Sequence, residues 1–118
     1  MFKEGTGIQK VYIACGYTNL RNGIDGLAAL IQNEYALNPF DKGTLFLFCG
    51  RKTDRIKGLL WEGDGFLLLY KRLEKRNKYQ WPRSDDELKE MTMEQYRNLM
   101  SGLTIFPTIH DTEISRVG

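Results

Sequence analysis

The run Glu62-Gly63-Asp64-Gly65, set between two apolar segments, constrains this chain more than any other feature. Its glycines supply the positive-φ positions of a tight turn, so residues 55–61 and 66–73 are predicted to form a β-hairpin. A two-residue loop fixes the pairing register, and the register decides which side chains share a face. Lys57, Leu59 and Trp61 then lie with Phe66, Leu68, Tyr70 and Arg72, while Ile56, Gly58, Leu60, Leu67, Leu69 and Lys71 occupy the other face. Both faces are apolar in the middle and basic at the end away from the turn.

That basic end belongs to a larger polarity. Residues 51–83 hold 10 Lys/Arg against 4 Asp/Glu, a net of +6, so the rest of the chain holds 7 against 11, a net of −4. The overall charge of +2 conceals the separation. Cations interleaved with Trp61, Phe66, Tyr70, Tyr79 and Trp81 are what a nucleic-acid contact uses: phosphate neutralisation with counterion release, and flat rings for bases. A plainer reading is also available, in which Lys and Arg keep edge strands from pairing with other sheets and the aromatic residues are core. A protein partner is a third.

At 118 residues with 42% hydrophobic composition, the chain is the size of one domain with a real core. Residues 1–103 are expected to form that domain, with 104–118 as a loosely docked tail. Residues 11–15, rich in β-formers and closed by Gly16, read as a strand. A helix is predicted to start near Asn19, capped by Thr18 or Asn19, with Leu20, Ile24, Leu27, Ile31 and Tyr35 at helical spacing before Asn38-Pro39. Gly26 within it points to a close backbone approach. Arg21 and Asp25, four apart, would share a helix face, either as a surface ion pair or with Arg21 free for a functional contact. Residues 45–49 are apolar at successive positions, which marks a central strand covered on both sides. A short strand at 79–81 ends at Pro82 and so suits an edge. Residues 84–90 read as an acidic, solvated linker, and Thr92 with Gln95 forms a capping box for a short helix ending near Gly102. The expected fold is α+β: an antiparallel sheet of four or five strands with a central hairpin, packed against one main helix plus a short C-terminal helix. The strand ends at residues 12–16 and 46–50 echo one another, each followed by an arginine, Arg21 or Arg55.

Chemistry of the catalytic kind finds little support. His110 is the only histidine, no nucleophile motif is present, and Glu62 with Asp64 sits where turns favour such residues for backbone reasons. The Gly63-x-Gly65 turn is followed by a strand rather than the helix a phosphate loop needs. Cys15 and Cys49, each after a strand and before a glycine, are expected to be reduced, buried thiols, with no metal and no cofactor. No segment reaches the length of a membrane span and no apolar leader opens the chain, so a cytoplasmic protein is expected.

Several local sequences together resemble the TnpB accessory proteins of the insertion-sequence family numbered sixty-six, which are distinct from the RNA-guided nucleases of the same name. They are Asn19-Leu20-Arg21 with Asp25-Gly26-Leu27, Leu45-Phe46-Leu47-Phe48, Asp54-Arg55-Ile56-Lys57, Trp61-Glu62-Gly63-Asp64-Gly65-Phe66, Tyr70-Lys71-Arg72-Leu73-Glu74 and Trp81-Pro82. The resemblance implies a small bacterial protein encoded beside a transposase, needed for efficient movement of the element and lacking a catalytic motif. The residues supply the mechanism. Arg51, Lys52, Arg55, Lys57, Lys71 and Arg72 would contact phosphates of element ends or of an exposed strand, Arg21 would be a further nucleic-acid contact, and Trp61 or Tyr70 would stack where exposed. The alternative is an adaptor that docks on the transposase or on another copy of itself. Burial of Trp61 and Tyr70 would favour the adaptor; exposure beside the cations would favour DNA.

Overall fold

The computed structural model describes residues 8–83 and 88–101. Its elements run β1 (Lys10–Ala14), α1 (Ile24–Asn33), β2 (Thr44–Cys49), β3 (Arg55–Trp61), β4 (Phe66–Arg72), β5 (Leu88–Met91) and α2 (Met93–Met100). The strands form one sheet in the order β4-β3-β2-β1-β5. The β3–β4 hairpin has the register its turn dictates, from Arg55 opposite Arg72 to Trp61 opposite Phe66. Glu62 N donates to Gly65 O at 2.9 Å, and Gly63 alone in the turn takes a positive φ, +98°. A glycine at the first central position is what a type II′ hairpin requires.

Every residue of β2 is buried, as expected for a strand apolar on both faces. Its odd-numbered side chains, Leu45, Leu47 and Cys49, join Val11, Ile13, Ile56, Leu60, Met91 and Leu99. Its even-numbered ones, Phe46 and Phe48, gather with Leu27 and Ile31 of α1 and with Leu59. The core therefore lies on both sides of the sheet, with α1 residues in one cluster and an α2 residue in the other. The capping box of α2 is present in both halves: Gln95 N donates to Thr92 Oγ1 at 3.0 Å and Thr92 N to Gln95 Oε1 at 2.8 Å.

Four expectations need correction. The sheet is mixed rather than antiparallel, because β1 pairs with β2 in parallel, Tyr12 opposite Phe46 and Ile13 opposite Leu47. The connection between them carries α1, the usual crossover between parallel strands. That helix starts at Ile24, not near Asn19. Asn19 Oδ1 accepts from Arg21 N at 2.9 Å and Asn19 O from Asn22 N at 3.1 Å, a local turn that competes with helix, and Gly23 caps α1 without a side-chain bond. Arg21 thus precedes the helix, and its spacing to Asp25 sets no shared helical face.

Residues 79–81 form no strand. Tyr79 N donates to Thr53 O at 2.7 Å and Trp81 Nε1 to Ala14 O, at the end of β1, at 2.8 Å, while the neighbouring Pro82 O accepts from Gly16 N at 2.8 Å. The edge beside β1 is instead taken by β5, which pairs antiparallel with it from inside the stretch read as an acidic linker. The tail 104–118, His110, Gly102 and the domain limit at 103 lie outside the described residues.

Candidate nucleic-acid interface

The parallel pairing builds the site. Because β1 and β2 run the same way, the loops that leave them, residues 15–23 and 50–54, emerge side by side, and β3 begins and β4 ends at that same end. Between them lies a cleft of about 890 Å³ lined by residues 17–21, 50–52, Asp54, Arg55, Lys57, Leu68 and Tyr70. Arg21, Arg51, Lys52, Arg55 and Lys57 thereby converge from three segments around one carboxylate, Asp54.

Each loop is held by its own bonds. In the first, Thr18 N donates to Cys49 O at 2.8 Å, tying it to the end of β2. In the second, Thr53 is buried at φ +58°, a left-handed conformation unusual for a β-branched residue. Its N–H donates to Gly50 O at 2.9 Å, its hydroxyl to Lys52 O at 2.6 Å, and its own carbonyl accepts from Tyr79. Lys78 Nζ adds a bond to Lys52 O at 3.0 Å. A tight, multiply bonded turn of this kind fixes the backbone that carries its two exposed cations, Arg51 and Lys52, and such strain concentrates at functional sites.

Lys57 is anchored rather than free. Its Nζ donates to Asn22 O at 2.9 Å and stands 6.0 Å from the centroid of the Tyr70 ring. No backbone makes the close approach expected at Gly26; the side chain of this same Asn22 sits where a Cβ at Gly26 would be. Helix, loop and hairpin are thus joined at the cleft wall.

Asp54 Oδ1 is 3.6 Å from Arg55 Nε and is buried, with no hydrogen-bond donor to it among the described residues. Arg55 stands opposite Arg72, a like-charge cross-strand pair that destabilises a sheet unless anions intervene. Arg72 has such a partner in Glu74, Nε to Oε2 at 3.0 Å, which raises its pKa above the ordinary value.

Of the nine residues singled out in the sequence, six line the cleft: Arg21, Arg51, Lys52, Arg55, Lys57 and Tyr70. Lys71 points to the opposite face of the sheet, and Arg72, although on the cleft side, is engaged by Glu74 and does not line it. Trp61 is at the far, turn end of the hairpin, about 20 Å along the strand from Arg55. There it packs against Phe40 and Phe66, with ring centroids 5.0 and 4.9 Å away. The two aromatic residues meant to discriminate DNA from an adaptor therefore part company: Tyr70 is 48% exposed beside cations, and Trp61 is half-buried among rings. The sequence reading missed Tyr17, also exposed, whose ring lies 5.8 Å from the Arg51 guanidinium. Its place directly after Gly16, at the end of a strand, was the available signal.

Both cysteines are buried and neither is in a disulfide, and burial, with a smaller effect from Asp54, pushes the Cys49 thiol up to about 12. Among the described residues no three His, Cys, Asp or Glu side chains converge as metal ligands, and no helix is long and apolar enough to cross a membrane.

Comparison with known proteins agrees with the motifs. The protein y4hO of Sinorhizobium fredii, itself uncharacterised, is 36% identical over 103 residues, 87% of each chain. A second uncharacterised protein of the same strain, y4jC, is 30% identical over 94 residues, 80% of this chain and 79% of its own. No solved structure matches significantly. The family described as IS66 Orf2 like protein matches residues 9–108, and the chain belongs to that family.

Proposed function

We propose that this protein is a non-catalytic accessory factor of transposition that holds DNA in the cleft at the basic end of its sheet. Family membership supports the accessory role. The observation that carries the DNA contact is the convergence of five cations from three separate segments on one concave surface with a single carboxylate. Opposed cations repel, so folding alone does not favour gathering them; a polyanion that binds there offsets the repulsion and releases its counterions. Arg51, Lys52 and Arg55, all exposed, are the phosphate contacts, with Arg21 across the cleft and Lys57 fixed at its wall.

The test is a titration of labelled DNA carrying the element's ends at several salt concentrations, for the parent and for the triple variant Arg51→Gln, Lys52→Gln, Arg55→Gln. Each duplex phosphate neutralised adds about 0.9 to the slope of log affinity against log salt, so the variant should lose about two to three units while remaining folded. A folded variant with unchanged slope and affinity, or a parent that binds no DNA at low salt, refutes the reading.

A second reading, an adaptor for the transposase or for another copy of the chain, draws on the opposite end of the hairpin. There Phe40, 47% exposed, caps the Trp61 and Phe66 rings. A transposase pull-down lost in Phe40→Asp and retained in the triple variant would favour it.

A further inference from the structure

We infer that the cleft takes a single DNA strand with an unstacked base, rather than the side of a duplex; this rests on the DNA reading above and specifies its substrate. Proteins that read duplex sequence usually offer a convex element, a helix or a ribbon, to a groove. Here the basic surface is concave, and at about 890 Å³ it has the size of a small-ligand site. A duplex would touch only its rim, leaving the interior empty.

That interior is suited to a base. Leu20 and Leu68, both partly buried, contribute apolar lining, and Tyr17 and Tyr70 add exposed rings from two different elements. Each tyrosine is paired with a cation, Tyr17 with Arg51 at 5.8 Å and Tyr70 with Lys57 at 6.0 Å. A nucleotide carries the complementary pairing, a phosphate beside a flat base. Aromatic platforms along a cationic groove are how single strands are held without regard to sequence. The charges reach a phosphate whichever base is present, and the rings stack on any of the four.

The experiment compares a single strand of about 12 nucleotides, within the usual span of such sites, with a hairpin duplex of matched charge. Each carries 2-aminopurine, and the proteins are the parent, Tyr17→Ala, Tyr70→Ala and the corresponding Phe variants, each checked for an unchanged thermal melt. The strand should bind more tightly than the duplex, with 2-aminopurine emission quenched on binding. Each Ala variant should weaken strand binding about 5- to 150-fold, the range one stacked base supplies, while the Phe variants keep near-parental affinity. Equal affinity for strand and duplex, or Ala variants that bind the strand as the parent does, overturns the inference and leaves the DNA reading standing. Failure to bind either probe removes both.

Discussion

Tyr79 and Trp81 lie two residues apart in the strap that closes the basic end, and replacing each by Phe should change stability very differently. The Trp81 indole N–H donates to Ala14 O at 2.8 Å in a buried setting. Trp81→Phe removes this buried hydrogen bond at about 1 to 3 kcal/mol, and the smaller ring forfeits roughly 1 kcal/mol of apolar burial. The sum, about 2 to 4 kcal/mol, is a large share of the 5 to 15 kcal/mol typical of a domain. The Tyr79 hydroxyl is also buried but has no hydrogen-bond partner among the described residues, so Tyr79→Phe deletes an unsatisfied polar group and leaves nothing orphaned. It should be neutral or stabilising by up to about 1 kcal/mol. Urea unfolding followed by far-UV circular dichroism measures both, with equal m-values as the check on two-state behaviour. A Tyr79→Phe variant less stable by more than about 1 kcal/mol would show that the hydroxyl is bonded after all. A Trp81→Phe variant within about 0.5 kcal/mol of the parent would show that the indole bond contributes nothing, and either result refutes the reasoning.

Alkaline pH should destabilise the fold, because Cys49 rises from 9.0 to about 12 and Tyr79 from 10.0 to about 12, burial being the chief cause of each. The native state then holds protons the unfolded chain releases, so stability is full below about pH 9 and falls as pH climbs toward 12; a flat urea midpoint from pH 8 to 11 would contradict this. Leu47→Ala, which truncates a side chain 2% exposed at the middle of the central strand, should cost about 2 to 5 kcal/mol by the same denaturation assay.

The hairpin was legible because two glycines and an aspartate set a register that all later pairing along β3 and β4 must follow. β2 was legible because no solvent-facing alternation interrupts it. The parallel partnership of β1 and β2 was not, since direction leaves little trace in a short apolar run. The echo between residues 12–16 and 46–50 was its one sign: Tyr12 and Phe46 are register partners with rings stacked 5.7 Å apart, and the arginines that follow line the same cleft. β5 escaped because a strand of four residues with Lys89 and Glu90 at its centre has no periodicity of its own, and its place beside β1 is a tertiary choice. Residues 79–81 misled for the opposite reason, as β-forming aromatics whose job is to fill space and bond to loops. For the site, linear charge density located the cations on the loop and hairpin but grouped Trp61 with them, since a count along the chain does not distinguish the two ends of a strand.

The sheet order also separates short loop closures from a long one. β2, β3 and β4 follow one another in the chain and pair with their immediate successors, so this half closes only short loops. β1 sits between β2 and β5, and its second partner joins Val11 to Met91, across most of the described chain. During synthesis the outer edge of β1 must therefore wait, unpaired, until residues 88–91 have left the ribosome. A transcript cut short after residue 83 would encode the whole cationic cleft yet leave that edge open to other chains, so premature termination should yield aggregates rather than a smaller working protein.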